Sequence, residues 1–303
     1  MRCFKRIAFL PANGLGDALL FTILAHNAVK SGAKVTIFHR FANELAPFFP
    51  KEMEFEKPFS EKDAAAILSQ YTLTLFQNDH SSFAYRLHSI RRGDIGDVRF
   101  VLPKPSPLFM EQDIRLDPTL SMVENLQRAS YMLFESAEPT NGSLLHQTWH
   151  GTDSRKVILH PFSGSKKKNW LLSKYIDVAK RLVKLNYDVE FVCHDDDALD
   201  VSFPTTRCSS LQSLVETLQT ARFFIGNDSG PGHLASLIGV PTVTIAGNKN
   251  QIKLWKPSFT CNAQLSPPFP LPNFKGIGLP IRDKYWQYFV RPKDVVKALN
   301  LLY

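Results

Sequence analysis

No run of eighteen or more apolar residues occurs in the 303-residue sequence, so a membrane-spanning helix is not expected. Cysteine is scarce. Cys3, Cys193, Cys208 and Cys261 are scattered, with no C-x-x-C pair, and they read as reduced, mostly buried thiols in the cytoplasm, not as disulfides or a zinc site. A secretory leader is not evident either. Arg2, Lys5 and Arg6 precede only Ile7 to Leu10 before Pro11, Asn13 and Asp17 break the apolar stretch, so this segment is predicted to be a first β-strand. Long Lys/Arg tracts and recognised nucleic-acid motifs are lacking, which disfavours DNA or RNA as a partner.

What is present is an ordinary globular composition, 44 % hydrophobic and 21 % charged, with length enough for two medium domains that each bury a core. The net charge of +8 is unevenly placed. Residues 1–150 carry 16 Lys+Arg and 16 Asp+Glu, whereas residues 151–303 carry 20 and 12, so the second half holds the whole excess. A basic surface favours an anionic partner, either acidic lipid or a phosphorylated small molecule. A solubilising balance with no partner is the plainer explanation. Arg91, Arg92 and Arg99 are candidates to face an acidic lipid-linked glycan, or they form a solvated surface.

Hydrophobic patterning divides the chain into two α/β halves, 1–150 and 151–303. In the first, strands are predicted at 5–11, 34–39, 72–76 and 98–102, and helices over 17–31 and 121–134, with Gly32 just past the end of the first helix. Residues 103–118 read as a loop and 138–142 as the linker. The pattern then restarts, with strands at 156–160, 188–193, 222–226 and 240–246 and helices over 173–184, 230–238 and 292–302. Ser209 and Gln212 look like the capping box of a further helix running to Thr220. Residues 257–280, rich in proline and glycine, read as an irregular crossing segment. Strand–helix–strand alternation implies parallel sheets, and two such halves predict a ligand cleft between them.

Three constellations carry chemistry. Asn13-Gly14-Leu15-Gly16-Asp17 lies between the first strand and helix, where Gly14 and Gly16 permit a tight turn close to a ligand. It is not a dinucleotide fingerprint: Leu19 stands at the third glycine, and His39-Arg40 follow the second strand in place of a ribose-binding acid. Asp17 either caps the helix or acts as a general base. The second is Ser163-Gly164-Ser165-Lys166-Lys167-Lys168, a small-residue turn with hydroxyls and positive charge that suits phosphate, although it lacks Walker spacing. The third is Asp228-Ser229-Gly230-Pro231-Gly232-His233, a polar turn that opens a helix and aims unpaired N–H groups at an anion. His233 is either a ligand-facing group or a satisfied core histidine.

This combination resembles glycosyltransferase family 9, the ADP-heptose:lipopolysaccharide heptosyltransferase family, most strongly over residues 156–257 and again at Gly14-Leu15-Gly16-Asp17. The resemblance implies a GT-B fold of two Rossmann-like doubly wound domains facing across a cleft, with the last helix able to pack back on the first domain. It implies an inverting, metal-independent transfer with no cofactor, in which a nucleotide-diphospho-sugar (ADP-heptose by kinship) is the co-substrate. A glycan or lipid-linked glycan hydroxyl would be the acceptor, and the enzyme would be cytoplasmic, in peripheral contact with an anionic membrane surface. Asp17 would be the base. Ser163, Gly164, Ser165 and the lysines 166–168 would bind the donor together with Asp228, Ser229, Gly230 and His233. The chain departs from the family pattern at Phe162, where glycine is usual, at Leu171, where proline is usual, and at His194-Asp195-Asp196-Asp197, where a glutamate is expected. An epimerase or hydrolase of the same shape, or a non-catalytic binding subunit, are the alternative readings.

Overall fold

The computed structural model describes residues 4–91, 95–103, 106–138, 154–271 and 281–302. It forms two compact units, Met1–Leu144 and Leu145–Tyr303. The linker expected at 138–142 lies outside the described residues except for Glu138, as do Cys3 and Arg92.

In the first unit the order is β1 (Arg6–Leu10), α1 (Leu15–Lys30), β2 (Lys34–Phe38), α2 (Ala42–Leu45), β3 (Met53–Glu56), α3 (Ala64–Leu68), β4 (Leu73–Gln77), α4 (Ser82–Ile90), β5 (Asp97–Leu102), β6 (Ile114–Arg115) and α5 (Met122–Phe134). The second unit holds β7 (Lys156–His160), α6 (Leu172–Lys184), β8 (Asp188–His194), β9 (Thr205–Cys208), α7 (Leu211–Gln219), β10 (Phe223–Asn227), α8 (Gly230–Leu237), β11 (Thr242–Ile245), α9 (Lys249–Trp255), β12 (Asn262–Leu265), α10 (Ile281–Tyr285) and α11 (Pro292–Ala298).

Each unit is built on one six-stranded sheet, ordered β3-β2-β1-β4-β5-β6 in the first and β12-β11-β10-β7-β8-β9 in the second. All pairings are parallel. Numbered within its own unit, the second order becomes the same 3-2-1-4-5-6 arrangement, the doubly wound dinucleotide-binding topology. The chain direction reverses between β1 and β4, and again between β7 and β10, so a crevice opens at the carboxyl ends of those strand pairs. The central strands are apolar on both faces, as parallel strands covered by helices must be: four of the five residues of β1 and all five of β4 and β10 are buried.

Helix boundaries follow local chemistry. Ser121 caps α5 by accepting the Glu124 N–H at 3.2 Å, while the Glu124 carboxylate accepts the Ser121 N–H at 2.7 Å. This reciprocal pair satisfies two of the helix's unpaired donors. The corresponding box on α7 uses Ser210 and Ser213, one residue later than the Ser209–Gln212 pattern suggests, because Ser210 is the residue whose hydroxyl reaches the free N–H of Ser213. Two expected loops also hold strands. Residues 103–118 contain β6, paired with β5 through Val101 and Ile114, and residues 257–280 contain β12, paired with β11. Both are short edge strands, too brief to produce a visible alternation. The closing helix α11 packs on α6 and β12 within the second unit. Cys193 and Cys208 are buried free thiols, their pKa values raised by burial, and Cys261 is exposed.

Of the three arginines considered for a ligand surface, Arg91 proves to be structural. Its guanidinium is fully buried and meets Asp113 in a fork at 2.6 and 3.1 Å, donates to the Leu108 carbonyl at 2.5 Å and lies 4.2 Å above the Phe100 ring. Asp113 also accepts the Phe100 and Met110 N–H groups, both at 2.8 Å. The pair thereby satisfies backbone donors in the 100–113 segment while neutralising a buried charge. Arg99 pairs with Asp97 at 2.6 Å and is mostly buried as well. Glu138 is tied to α1 in a similar way. Its backbone N–H and carbonyl are held by buried Asn27 at 3.1 and 3.0 Å, and its carboxylate by Lys30 and His26.

Asp113→Ala is expected to destabilise the first unit by about 3–5 kcal/mol, because it leaves Arg91 buried and unpaired. Arg91→Met combined with Asp113→Leu should recover only part of that loss, because the Phe100 and Met110 N–H groups stay unpaired. Urea denaturation of the three proteins checks both statements.

Candidate active site

The carboxyl edge of the first sheet carries Asp17. The chain leaves β1 through Pro11 to Asn13 and enters α1 with Gly14 at the N-cap, so Asp17 falls in the first turn, where the helix dipole favours a carboxylate. No side chain caps this helix. The Asp17 carboxylate lies against Gly14. It reaches across to Gln77 at the end of β4, whose Nε2 donates to Asp17 Oδ1 at 2.5 Å. The same amide accepts the Ala12 N–H through Oε1 at 3.1 Å. From the other side, at the end of β2, His39 donates from Nε2 to the Ala12 carbonyl at 3.1 Å while its Nδ1 accepts the Phe41 N–H at 3.3 Å. Burial lowers the His39 pKa, in keeping with a neutral ring that donates from one nitrogen and accepts at the other. Gly14 is required by contact: a Cβ there would overlap the Asp17 carboxylate. The turn and its carboxylate are thus fixed by residues from the ends of the two strands neighbouring β1. Gln77 and His39 carry no motif, and only the sheet order makes them neighbours of Asp17.

In the second unit the loops after β7 and β10 flank the switch point, and these are the two loops that carry the lysine run and the Asp228–His233 turn. Buried Asn227, the last residue of β10, joins them. Its Nδ2 donates to the Pro161 carbonyl at 2.8 Å and its Oδ1 accepts the Trp170 N–H at 2.9 Å, gripping both ends of the 161–170 loop. Inside that loop Ser163 Oγ lies 2.9 Å from the Ser165 carbonyl and 2.7 Å from Asn169 Oδ1. Lys166–Lys168 form one 3₁₀ turn. Lys168 Nζ pairs with Asp228 at 2.9 Å, and the lysine is about half exposed.

A cavity of about 200 Å³ opens beside this pair, lined by Lys167, Lys168, Asp228, Asn248, Gln251 and Trp286 among others. Gly247 and Arg282 also border it. The sequence-predicted donor residues therefore separate into two groups. Lys167, Lys168 and Asp228 line this cavity. Ser163, Gly164, Ser165, Lys166, Ser229, Gly230 and His233 lie in the same two loops or their helix without lining it. Gly247 and Trp286 were not legible as a pair: a Cβ at Gly247 would come within 2.7 Å of the indole ring, so the loop after β11 can carry only glycine there. Trp286 is clamped from the other side as its Nε1 donates to the Lys167 carbonyl at 3.0 Å. Lys174 completes the clamp by donating to the carbonyls of Gln287, Tyr288 and Val290 at 2.7–2.9 Å, and its burial lowers its pKa.

The Asp228–His233 turn leads into α8 with Ser229 at the N-cap and Pro231 inside the first turn. Ser229 makes no side-chain cap, and Ser229 Oγ and His233 Nδ1 are buried with no hydrogen-bond partner among the described residues. Such groups are costly unless a ligand or solvent completes them. His233 is 4 % exposed and its pKa is pushed down to about 4, by desolvation first, with Asp228 opposing and Lys168 assisting. His160 at the end of β7 is likewise pushed down to about 4 by burial, stacked on Phe224 and edge-on to Phe162. Phe162 thus supplies an aromatic contact where the resembled family carries glycine. Among the described residues no group of three or more His, Cys, Asp or Glu side chains could hold a metal ion, and no helix is long and apolar enough to cross a membrane.

Residues 133–268 match the sequence pattern of glycosyltransferase family 9 (heptosyltransferase). That span resembles a family 9 glycosyltransferase domain. The matched span contains both second-unit loops and excludes Asp17. Several solved structures share the fold over nearly the whole chain. A family 9 glycosyltransferase from Veillonella parvula is 16 % identical with a TM-score of 0.68, covering 98 % of this chain and 97 % of its own. E. coli heptosyltransferase WaaC with ADP is 11 % identical with a TM-score of 0.68, over 98 % and 99 %. E. coli ADP-heptose LPS heptosyltransferase II is 14 % identical with a TM-score of 0.64, over 98 % of each chain. No curated protein matches the sequence. The fold class is GT-B, and the chain is a glycosyltransferase that draws on a nucleotide-sugar donor.

Two outcomes test the second-unit site. Asn227→Ala should weaken nucleotide-sugar binding at least tenfold, on the order of 1.4 kcal/mol, because the 161–170 loop loses the hydrogen bonds at both of its ends; titration calorimetry reads this. The second concerns pH. With folded pKa values of about 4 against an ordinary value of 6.5, the unfolded chain binds protons at His160 and His233 that the folded chain does not. Their contribution to stability is therefore complete above pH 6.5 and is lost as the pH falls towards 4, by about 2 kcal/mol for each ring at pH 4.5. Urea midpoints at pH 7.5 and 4.5, with imidazole NMR showing both rings neutral at pH 5.5, check the sign.

Proposed function

We propose that this glycosyltransferase moves a heptose-like sugar, with inversion, from a nucleotide diphosphate to a glycan or lipopolysaccharide-core hydroxyl. The observation that carries the reading is the cationic cavity beside the amino end of α8, where Lys167, Lys168 and Asp228 stand at the switch point of a dinucleotide-type sheet. A diphosphate placed there meets the lysine run on one side and the N–H groups of the Ser229–Gly230 turn on the other. Both stabilise the charge that gathers on the leaving nucleotide as the sugar bond breaks. The Lys168–Asp228 pair has to open or share its lysine when phosphate arrives, and Asp228 is then free to accept a sugar hydroxyl. At the end of β8, His194 to Asp197 form an acidic turn, at the position where this topology places its ribose ligand.

Asp17 is the base in this reading. As the acceptor oxygen bonds to the anomeric carbon, its proton passes to Asp17 and the nucleotide diphosphate departs. Gln77, donating to one carboxylate oxygen, fixes the direction of the other and acts as a positioning residue. General-base assistance is worth about 10²–10⁴-fold in rate.

Incubation with ADP-, UDP-, GDP- and dTDP-sugars identifies the donor through thermal stabilisation, and transfer is then followed with Asp17→Asn. The variant should lose 10²–10⁴-fold in rate with donor affinity within a factor of about two. A residual rate near that of the parent removes Asp17 from the base role. Replacement of Lys168 by alanine should instead weaken donor binding, and unchanged affinity would make the run a solvated turn.

A further inference from the structure

We propose that the acceptor carries a planar apolar ring beside its reacting hydroxyl, and that the first unit holds this ring in a phenylalanine-lined pocket next to the Asp17 turn. The role as an acceptor pocket rests on Asp17 being the base; the pocket and its ligand chemistry stand on their own observations.

The carboxyl ends of β1, β2 and β4 deliver Leu10, Phe38 and Phe76 to the face of the sheet opposite the Gln77 side chain, as alternation along β4 requires. A cavity of about 230 Å³ lies over them, closed laterally by Phe59 from the loop after β3 and Phe83 from α4. The four aromatic rings form a continuous wall: Phe38 to Phe59 at 4.8 Å, Phe59 to Phe83 at 6.0 Å and Phe83 to Phe76 at 5.7 Å, each edge-on to the next. Edge-on pairs turn positive ring edges towards negative faces, and a further ring entering the cavity can continue the same geometry. An apolar void of roughly 150 Å³ holds a benzene molecule, so this space takes one ring and its substituent.

The polar residues of the lining are Asn13 and Asp79, both exposed, and the partly exposed Ser81. Asn13 belongs to the turn that carries Asp17. Asp79 and Ser81 belong to the loop after β4, on the other side of the switch point, where the Asp79 carboxylate accepts the Ser81 N–H at 2.9 Å. Between them His80 holds a left-handed backbone, φ +60°, that non-glycine residues rarely adopt and that collects at ligand-binding turns. An ordinary core would close over its phenylalanines. Here Phe38 and Phe76 are buried, whereas Phe59 and Phe83 are only half-buried and present apolar surface to an opening that water fills poorly. A bare sugar matches this lining badly because its hydroxyls would be stranded among phenyl rings. A molecule with an apolar ring inside and a hydroxyl at the rim matches both parts.

The test compares phenyl β-D-glucopyranoside with methyl β-D-glucopyranoside by titration on the intact protein, with ADP titrated in parallel. The phenyl compound should bind at least tenfold more tightly, and Phe59→Ala should reduce that ratio to within about twofold while ADP affinity stays unchanged. Phe83→Ala provides the same reading should Phe59→Ala fail to fold. Equal affinity for the two glycosides, or a ratio that survives both substitutions, overturns the pocket. Failure of the parent protein to bind any of the ADP-, UDP-, GDP- and dTDP-sugars overturns the donor reading instead, and the two failures are therefore distinct.

Discussion

In a sheet whose strands all run the same way, every loop that leaves a carboxyl end is delivered to one edge. Where the connection order reverses, two neighbouring loops turn in opposite directions and leave a gap that no helix covers. Both units of this chain obey that constraint with the same strand order. At one gap stand the Asp17 turn and the loop after β4; at the other, the lysine turn and the Asp228–His233 turn. Little else in the structure would be intelligible without it, because there Gln77 meets the Asp17 turn and Asn227 meets the lysine turn.

The gaps are held open by buried polar side chains that take over from the ladder where it ends. Asn227 binds both ends of the lysine loop, and Gln77 binds both the backbone and the carboxylate of the Asp17 turn. Each is an amide at the last position of the fourth strand of its unit. An amide offers a donor and an acceptor together, so one side chain can satisfy two unlike backbone groups in a place where neither water nor a neighbouring strand does so. The Trp286–Gly247 contact and the carbonyl clamp of Lys174 perform a similar service for the outer wall of the second site. Preorganisation of this kind lets charged groups act on a ligand without first rearranging.

The two edges differ in character. The second is cationic, polar and lined by a lysine–aspartate pair, suited to phosphate and hydroxyl groups. The first combines a single positioned carboxylate with a wall of phenylalanine. The uneven charge of the chain, neutral in its first half and basic in its second, is the coarse signature of this division. A phosphorylated donor and an acceptor with apolar character call for opposite surroundings, and two units allow both to exist in one chain.

Patterning alone determined the strands and helices that carry the motifs, since burial on both faces makes β1, β4, β7 and β10 continuous apolar runs and leaves the intervening turns rich in Gly, Ser and Asp. It also brought out Asp17, the lysine turn and Asp228, whose residue types mark them at short range. Strands β3, β6, β9 and β12 escaped because edge strands of two to four residues leave no periodic trace, and Ser210 was misjudged by one position because capping depends on which hydroxyl reaches the helix. Tertiary structure decided everything that joins distant positions: that Arg91 is buried against Asp113 instead of facing a ligand, that Lys168 pairs with Asp228, that Gln77 holds Asp17, and that four phenylalanines scattered from 38 to 83 line one pocket. The physical reason is that a local sequence fixes what a side chain can do, whereas strand order alone fixes which side chains meet.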